Sequence, residues 1–224
     1  MPRVRRIVIP GVPHHITQRG NNKQDVFFVD DDRHVYLALL KKQADRFGLK
    51  ILGYCLMTNH VHLLATPGRD DSLAKAIGRT HYLYSQYINT RHGRSGHLWQ
   101  NRFFSCALDD EHLWTALAYI ERNPVRTKAV RFAWEYTWSS AGPHTGSLEN
   151  DTLLDLEMWR SFWDDSAWKD FLGTSGDDEI GRIRLCTNRG RPLGSDSFMS
   201  KIEKAAGYRL RPLPIGRPKK REEK

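Results

Sequence analysis

The chain has 224 residues, 39% of them hydrophobic and 27% charged, with a net charge of +9, which suits a soluble globular protein of one domain with a real core plus appendages, or of two small domains. Three widely separated cysteines, Cys55, Cys106 and Cys186, with no Cys-x-x-Cys pair, argue against a disulfide framework or a cysteine zinc site and point to a reducing cytoplasm. The basic start MPRVRRIVIPG is broken by Pro10 and Gly11 before a signal-peptide core can form, and no later run reaches membrane-spanning length.

PHHITQRGNN reads as a first strand, with Ile16 flanked by polar residues and Gly20-Asn21-Asn22 as its turn. Asp30-Asp31-Asp32 then supplies the cap and first-turn acids of a helix whose apolar face is Val35, Tyr36, Leu39, Leu40 and Phe47, closed by Gly48. KILGYCLM and HVHLLAT form a hairpin around Thr58-Asn59. Asp71-Ser72 opens a long helix carrying Leu73, Ile77, Leu83, Tyr84, Tyr87 and Ile88 to a stop near Gly93. FFSCAL is a fourth strand, and Asp109-Asp110 caps EHLWTALAYIERN.

That order predicts a ferredoxin-like (RRM-like) α+β fold: an antiparallel sheet with helices on one face, one extra helix and a small helical, basic C-terminal extension. Three regions are expected: residues 1–140, an acidic helical connector over 141–181, and a basic extension over 182–224. Trp159, Trp163 and Trp168 mark the connector as core or docking residues of a small helical piece. Charge is divided accordingly, with +8 over residues 1–144, −8 over 145–181 and +9 over 182–224. Two basic regions suggest a polyanion gripped at two places, because phosphate contacts gain affinity by releasing counterions; the alternative is a solvated basic surface with a disordered tail.

Within RHGRSGHLWQNRFF, Arg91, Arg94 and Arg102 can clamp phosphates while Trp99 stacks on an unpaired base; the same residues would equally suit a loop whose aromatics plug the core. In the tail, Arg189 and Arg191, then Arg217, Lys219 and Lys220, resemble extended minor-groove hooks. Between them SDSFMSKIEKAAG forms a short amphipathic helix, with Ser195 or Ser197 as cap and Phe198, Ile202 and Ala205 inward.

NHVHLL places His60 and His62 on one face of a strand, since side chains alternate and the rise is about 3.3 Å per residue. Two imidazoles so placed can converge on one ion, or they can be two polar residues on a strand; spacing leaves both open. On the helix ending AYIERNP, Tyr119 and Asn123 stand one above the other, with Pro124 putting Asn123 at the helix end. Read locally, a boundary tyrosine and a C-terminal Asn cap account for the pair better than a site does.

Taken together in this order, NHVHLL, SGHLWQNRFF and YIERNPVR resemble the single-tyrosine HUH transposases, and most closely the REP-associated tyrosine transposases of bacteria, over roughly residues 1–140. The resemblance implies that His60, His62 and Asn123 bind a divalent cation, Mg²⁺ or Mn²⁺, and that Tyr119 is the nucleophile. It implies cleavage and rejoining of single-stranded or hairpin DNA through a 5′-phosphotyrosine, by a nucleoid-associated monomer or homodimer. His14 and His15 are left as structural or DNA-facing residues. Rival readings are a palindrome-binding protein that does not cut, an RNA-binding ferredoxin-like module, and a histidine zinc hydrolase, for which no acidic general base stands near His60 and His62 in sequence.

Overall fold

The computed structural model describes residues 6–148, 151–174 and 180–211. Arg217, Lys219 and Lys220 lie outside the described residues. Alternation along β3 (His60–Pro67) sends its side chains into two cores, one on each face of the sheet. Val61, Leu63 and Ala65 enter one, with Ile16 of β1 (His14–Arg19) and Leu56 of β2 (Leu49–Met57). There they meet Tyr36 and Leu40 of α1 (Asp30–Phe47) and Ile77 and Tyr84 of α2 (Ser72–Arg91). Leu64 enters the other with Cys106 of β4 (Phe104–Ala107) and Leu113, Leu117 and Ile120 of α3 (Asp110–Glu121). The strands form one sheet in the order β2-β3-β1-β4, every neighbouring pair antiparallel.

The expected α+β order is therefore present, and α1 and α2 share one face as predicted. α3 lies on the opposite face, which the sequence reading had not separated. The reason is its near-complete burial: Leu113, Ala116, Leu117, Ala118, Tyr119, Ile120 and Glu121 are all inside, so this helix needs cover on two sides. The sheet supplies one side. The other comes from later helices, which follow the one-turn α4 (Asn123–Arg126): α5 (Ala141–His144), α6 (Glu157–Arg160), α7 (Asp165–Thr174) and α8 (Ile180–Arg189). The fully buried Glu121 carboxylate accepts from Ser140 Oγ at 2.5 Å, His144 Nδ1 at 2.6 Å and Trp168 Nε1 at 2.8 Å. Trp159 and Trp168 are indeed docking residues, and the acidic segment is held on α3 by a satisfied buried carboxylate.

Two local devices bring α3 close. Asp109 caps it, accepting from His112 N at 3.0 Å, as expected. A bulge in β2 between Ile51 and Gly53 reverses the strand's facing, so that Ile51 and Tyr54 enter the first core while Leu52 and Cys55 enter the second. At the bulge, a Cβ on Gly53 would collide with the Leu117 side chain. Gly53→Ala is therefore expected to cost about 1–3 kcal/mol by overpacking. Urea unfolding reads this directly, and an unchanged midpoint would show that α3 has room to spare.

α9 (Asp196–Ala206) is capped by Ser195, whose Oγ accepts from Phe198 N, and ends at Gly207 with φ 75°. Its inward stripe is Met199, Ile202 and partly buried Ala206, packed against Ile7 and Leu210. Ala205, expected inward, is exposed, because the stripe runs at 199, 202 and 206.

Candidate active site

Tyr119 is the point at which α3 faces the polar side of the sheet. Its ring is only 4% exposed and stands edge-on to His62, centroids 5.5 Å apart, and to His15 at 5.7 Å. The hydroxyl accepts a hydrogen bond from Arg184 Nε of α8 at 3.0 Å, and the Arg126 guanidinium lies 4.9 Å from the ring centroid. Asn123 follows one turn later. Its Nδ2 donates to the carbonyls of Tyr119 at 3.0 Å and Ile120 at 3.2 Å, capping the end of α3. The capping role weighed from sequence is thus real, and it leaves Oδ1 as the amide's acceptor in the pocket that Asn123 lines.

Opposite, the hairpin turn is pinned before the first histidine. Thr58 O accepts from Val26 N and Phe27 N, and Asn59 O accepts from Gly20 N. His60 Nδ1 pairs with Asn59 Oδ1 at 2.6 Å; His62 Nδ1 pairs with His15 Nε2 at 3.0 Å. These groups line a pocket of about 470 Å³, together with Arg19, Gln100, Asn101 and Arg184.

The electrostatics keep all three imidazoles neutral at physiological pH. Burial, then the nearby Arg19 and Arg184, lowers His60 to about 4. Burial lowers His15 to about 3. His62 is held well below its ordinary value by burial, by His15 and His60, and by Arg184 and Arg19. Neutral rings offer lone pairs. The described pocket lining contains a phenol, three imidazoles, carboxamides and arginines, and no carboxylate. Such a site can hold a phosphate and present an oxygen nucleophile to it.

Residues 10–123 match the family described as Transposase IS200 like, a span of more than half of the chain. The chain belongs to the IS200-like transposases. A solved REP-associated tyrosine transposase bound to a REP hairpin is similar in fold, with a TM-score of 0.54 at 19% identity, covering 65% of this chain and 86% of that one. A Deinococcus radiodurans protein solved as a candidate transposase aligns at 20% identity and a TM-score of 0.38, over 55% of this chain and 97% of that one. None of the curated proteins matches the sequence.

In this IS200-like transposase, His60, His62, Tyr119 and Asn123 come together in one pocket. The residues expected to touch nucleic acid are scattered. Arg102 and Arg189 are exposed. Arg94 donates to Gln24 Oε1 at 2.6 Å and lies over Phe28, while Arg91 lies 3.7 Å from Asp31 at the end of α2. Arg191 donates to Leu210 O at 2.6 Å and so ties the extension to itself. Trp99 is corrected outright: only 8% exposed, it donates to His81 O and packs on His81, Tyr84 and Tyr36, so its ring serves the core rather than a base.

The pocket also holds His15, Arg184 and Thr187, which the sequence does not place in the site. His15, expected only as a structural or DNA-facing residue, lies in the pocket because alternation from buried Ile16 turns it to the other face. Arg184 and Thr187 carried no signal, since only the packing of α8 brings them there. A further group, Asp109, Glu111 and His112, has ligand atoms within 4.8 Å of one another. Asp109 is already committed to the α3 cap, to His112 Nδ1 and to Ser195 N. It is a capping network at the far end of α3.

Proposed function

We propose that this IS200-like transposase cleaves and rejoins single-stranded or hairpin DNA by nucleophilic attack of Tyr119 on a backbone phosphate. The observation that supports this best is that the Tyr119 hydroxyl, His60, His62 and Asn123 line one pocket, with an arginine already on the hydroxyl. Attack by the phenol oxygen forms a tyrosyl–phosphorus bond and breaks the bond to the 3′-oxygen; the phenol proton ends on that oxygen. The product is a 5′-phosphotyrosine and a free 3′-hydroxyl. Because one phosphodiester replaces another, the reverse reaction rejoins strands without an external energy source.

The donor set suits a divalent cation. Nδ1 of His60 and of His62 is occupied, by Asn59 and His15, which leaves Nε2 of each as the remaining ring nitrogen, with Asn123 Oδ1 as an oxygen donor. When bound, Mg²⁺ or Mn²⁺ would supply charge to polarise and orient the scissile phosphate. Arg184 holds the phenol oxygen and can donate to the phosphate as it arrives. A hairpin ligand is supported by the solved relative with a similar fold, and by the basic surface of this chain. The exposed Arg102 and Arg189 and the partly buried Arg94 are assigned to phosphate contact, with Arg217, Lys219 and Lys220 of the tail.

The test is cleavage of 5′-labelled and 3′-labelled single-stranded hairpin oligonucleotides with Mn²⁺. A covalent protein–DNA adduct on the 3′ fragment is expected, lost with chelator and in His60→Ala/His62→Ala. Hairpin binding with no adduct across ions and sequences would make the protein a non-cleaving palindrome binder. In the same assay Arg184→Gln is expected to slow adduct formation by about 10²- to 10³-fold, the usual cost of one charge-stabilising donor, with Arg184→Lys in between. A rate within threefold of wild type would remove Arg184 from the chemistry.

A further inference from the structure

One chain of hydrogen bonds leads from α8 to His62, and its direction is set by its far end. The Ile183 carbonyl can only accept, and the Thr187 hydroxyl donates to it at 2.8 Å. That hydrogen is then spent, so Thr187 Oγ1 accepts from His15 Nδ1, 2.8 Å away. His15 is 1% exposed, and the described lining of its pocket holds cationic Arg19 and Arg184 but no carboxylate, an environment that keeps its ring singly protonated. With the proton on Nδ1, His15 Nε2 is bare and accepts from His62 Nδ1 at 3.0 Å. His62 therefore carries its proton on Nδ1, and its Nε2 lone pair is free.

We propose that His15, oriented by Thr187, is a positioning residue that fixes the His62 tautomer so that Nε2 is presented to a divalent cation. This deepens the metal-assisted reading above and rests on it. The neighbouring histidine is set independently. Asn59 Nδ2 donates to Lys23 O at 3.2 Å, which turns Oδ1 toward His60 and requires His60 Nδ1 to donate. Both rings thus expose the same atom. For His62 the control comes from the basic extension, through a residue of α8 that lies 172 positions from His15 in sequence. That extension thereby reaches the centre of the site as well as its surroundings.

The test uses the full chain labelled with ¹⁵N at histidine, free of metal and DNA. Long-range ¹H–¹⁵N correlation reads which nitrogen of each ring is protonated, and Mn²⁺ titration gives the affinity. In the wild type, His15 and His62 are expected as Nδ1–H tautomers. In T187V the His15 Nδ1 proton loses its acceptor, so the relay reverses: His15 donates from Nε2, His62 accepts at Nδ1 and its own proton moves to Nε2. Mn²⁺ affinity should fall about 10- to 100-fold, the usual effect of losing an outer partner of a metal-binding histidine. T187S keeps the hydroxyl and should restore both readouts. Wild-type His62 protonated at Nε2, or T187V with wild-type tautomers, overturns the proposal. Because the tautomers are read without metal or DNA, a failure of the nuclease reading would leave that result standing.

Discussion

Tyr119→Phe is expected to bring covalent adduct formation down to background, a loss on the order of a thousandfold or more, while leaving hairpin affinity within about threefold. The substitution removes one atom. The ring that stands edge-on to His15 and His62 and lies under Arg126 is retained, so the pocket keeps its shape. Only the bond from Arg184 is lost, and Arg184 is exposed enough to solvate its guanidinium again. Stability should change by no more than about 1 kcal/mol. Denaturing gels with labelled hairpin read the adduct, and fluorescence anisotropy reads binding. An adduct of equal yield in Tyr119→Phe would place the nucleophile elsewhere in the chain.

Acid should unfold this protein through its histidines. His14, whose Nδ1 bonds to Val12 O, is held at about 4, chiefly by burial; His81, inside the first core between Tyr36 and Trp99, is held at about 3 by burial and by Arg6. In the unfolded chain each takes up a proton near its ordinary value of about 6.5. Between that value and the folded one, the unfolded state binds more protons, so stability is fully present above about pH 6.5 and falls as the pH drops toward 4. Each group contributes about 1.4 kcal/mol per pH unit across this window. These two alone remove roughly 3 kcal/mol by about pH 5.5, a large part of a typical total. In the metal-free protein the lowered His15, His60 and His62 act in the same direction. Urea midpoints at about pH 7.5 and 5.5 check this; equal midpoints would mean that these rings take up protons over the same pH range in the folded and unfolded states.

Local rules carried much of the architecture. Asp109 as cap, the left-handed Gly48 and the alternation of Val61 and Leu63 with His60 and His62 depend on neighbours within a few residues, and each stands where the sequence put it. Tyr119 and Asn123 were legible for the same reason, since four residues on a helix is one turn. Trp99 was ambiguous because an aromatic ring among arginines has the same sequence pattern whether it stacks on a base or fills a core, and burial beside His81 and Tyr84 decided it.

The chain by itself determined the element order, the two histidines on one strand face and the tyrosine–asparagine pair on one helix flank, all consequences of backbone periodicity. Tertiary structure alone decided that these two faces meet. It put α3 across the sheet from α1 and α2, close enough at Gly53 for Tyr119 to stand beside His62. It also brought Arg184 and Thr187 to Tyr119 and His15 from far along the chain. Contacts of that sequence separation have no periodic signature, because they arise from how cores pack and not from how one backbone segment turns.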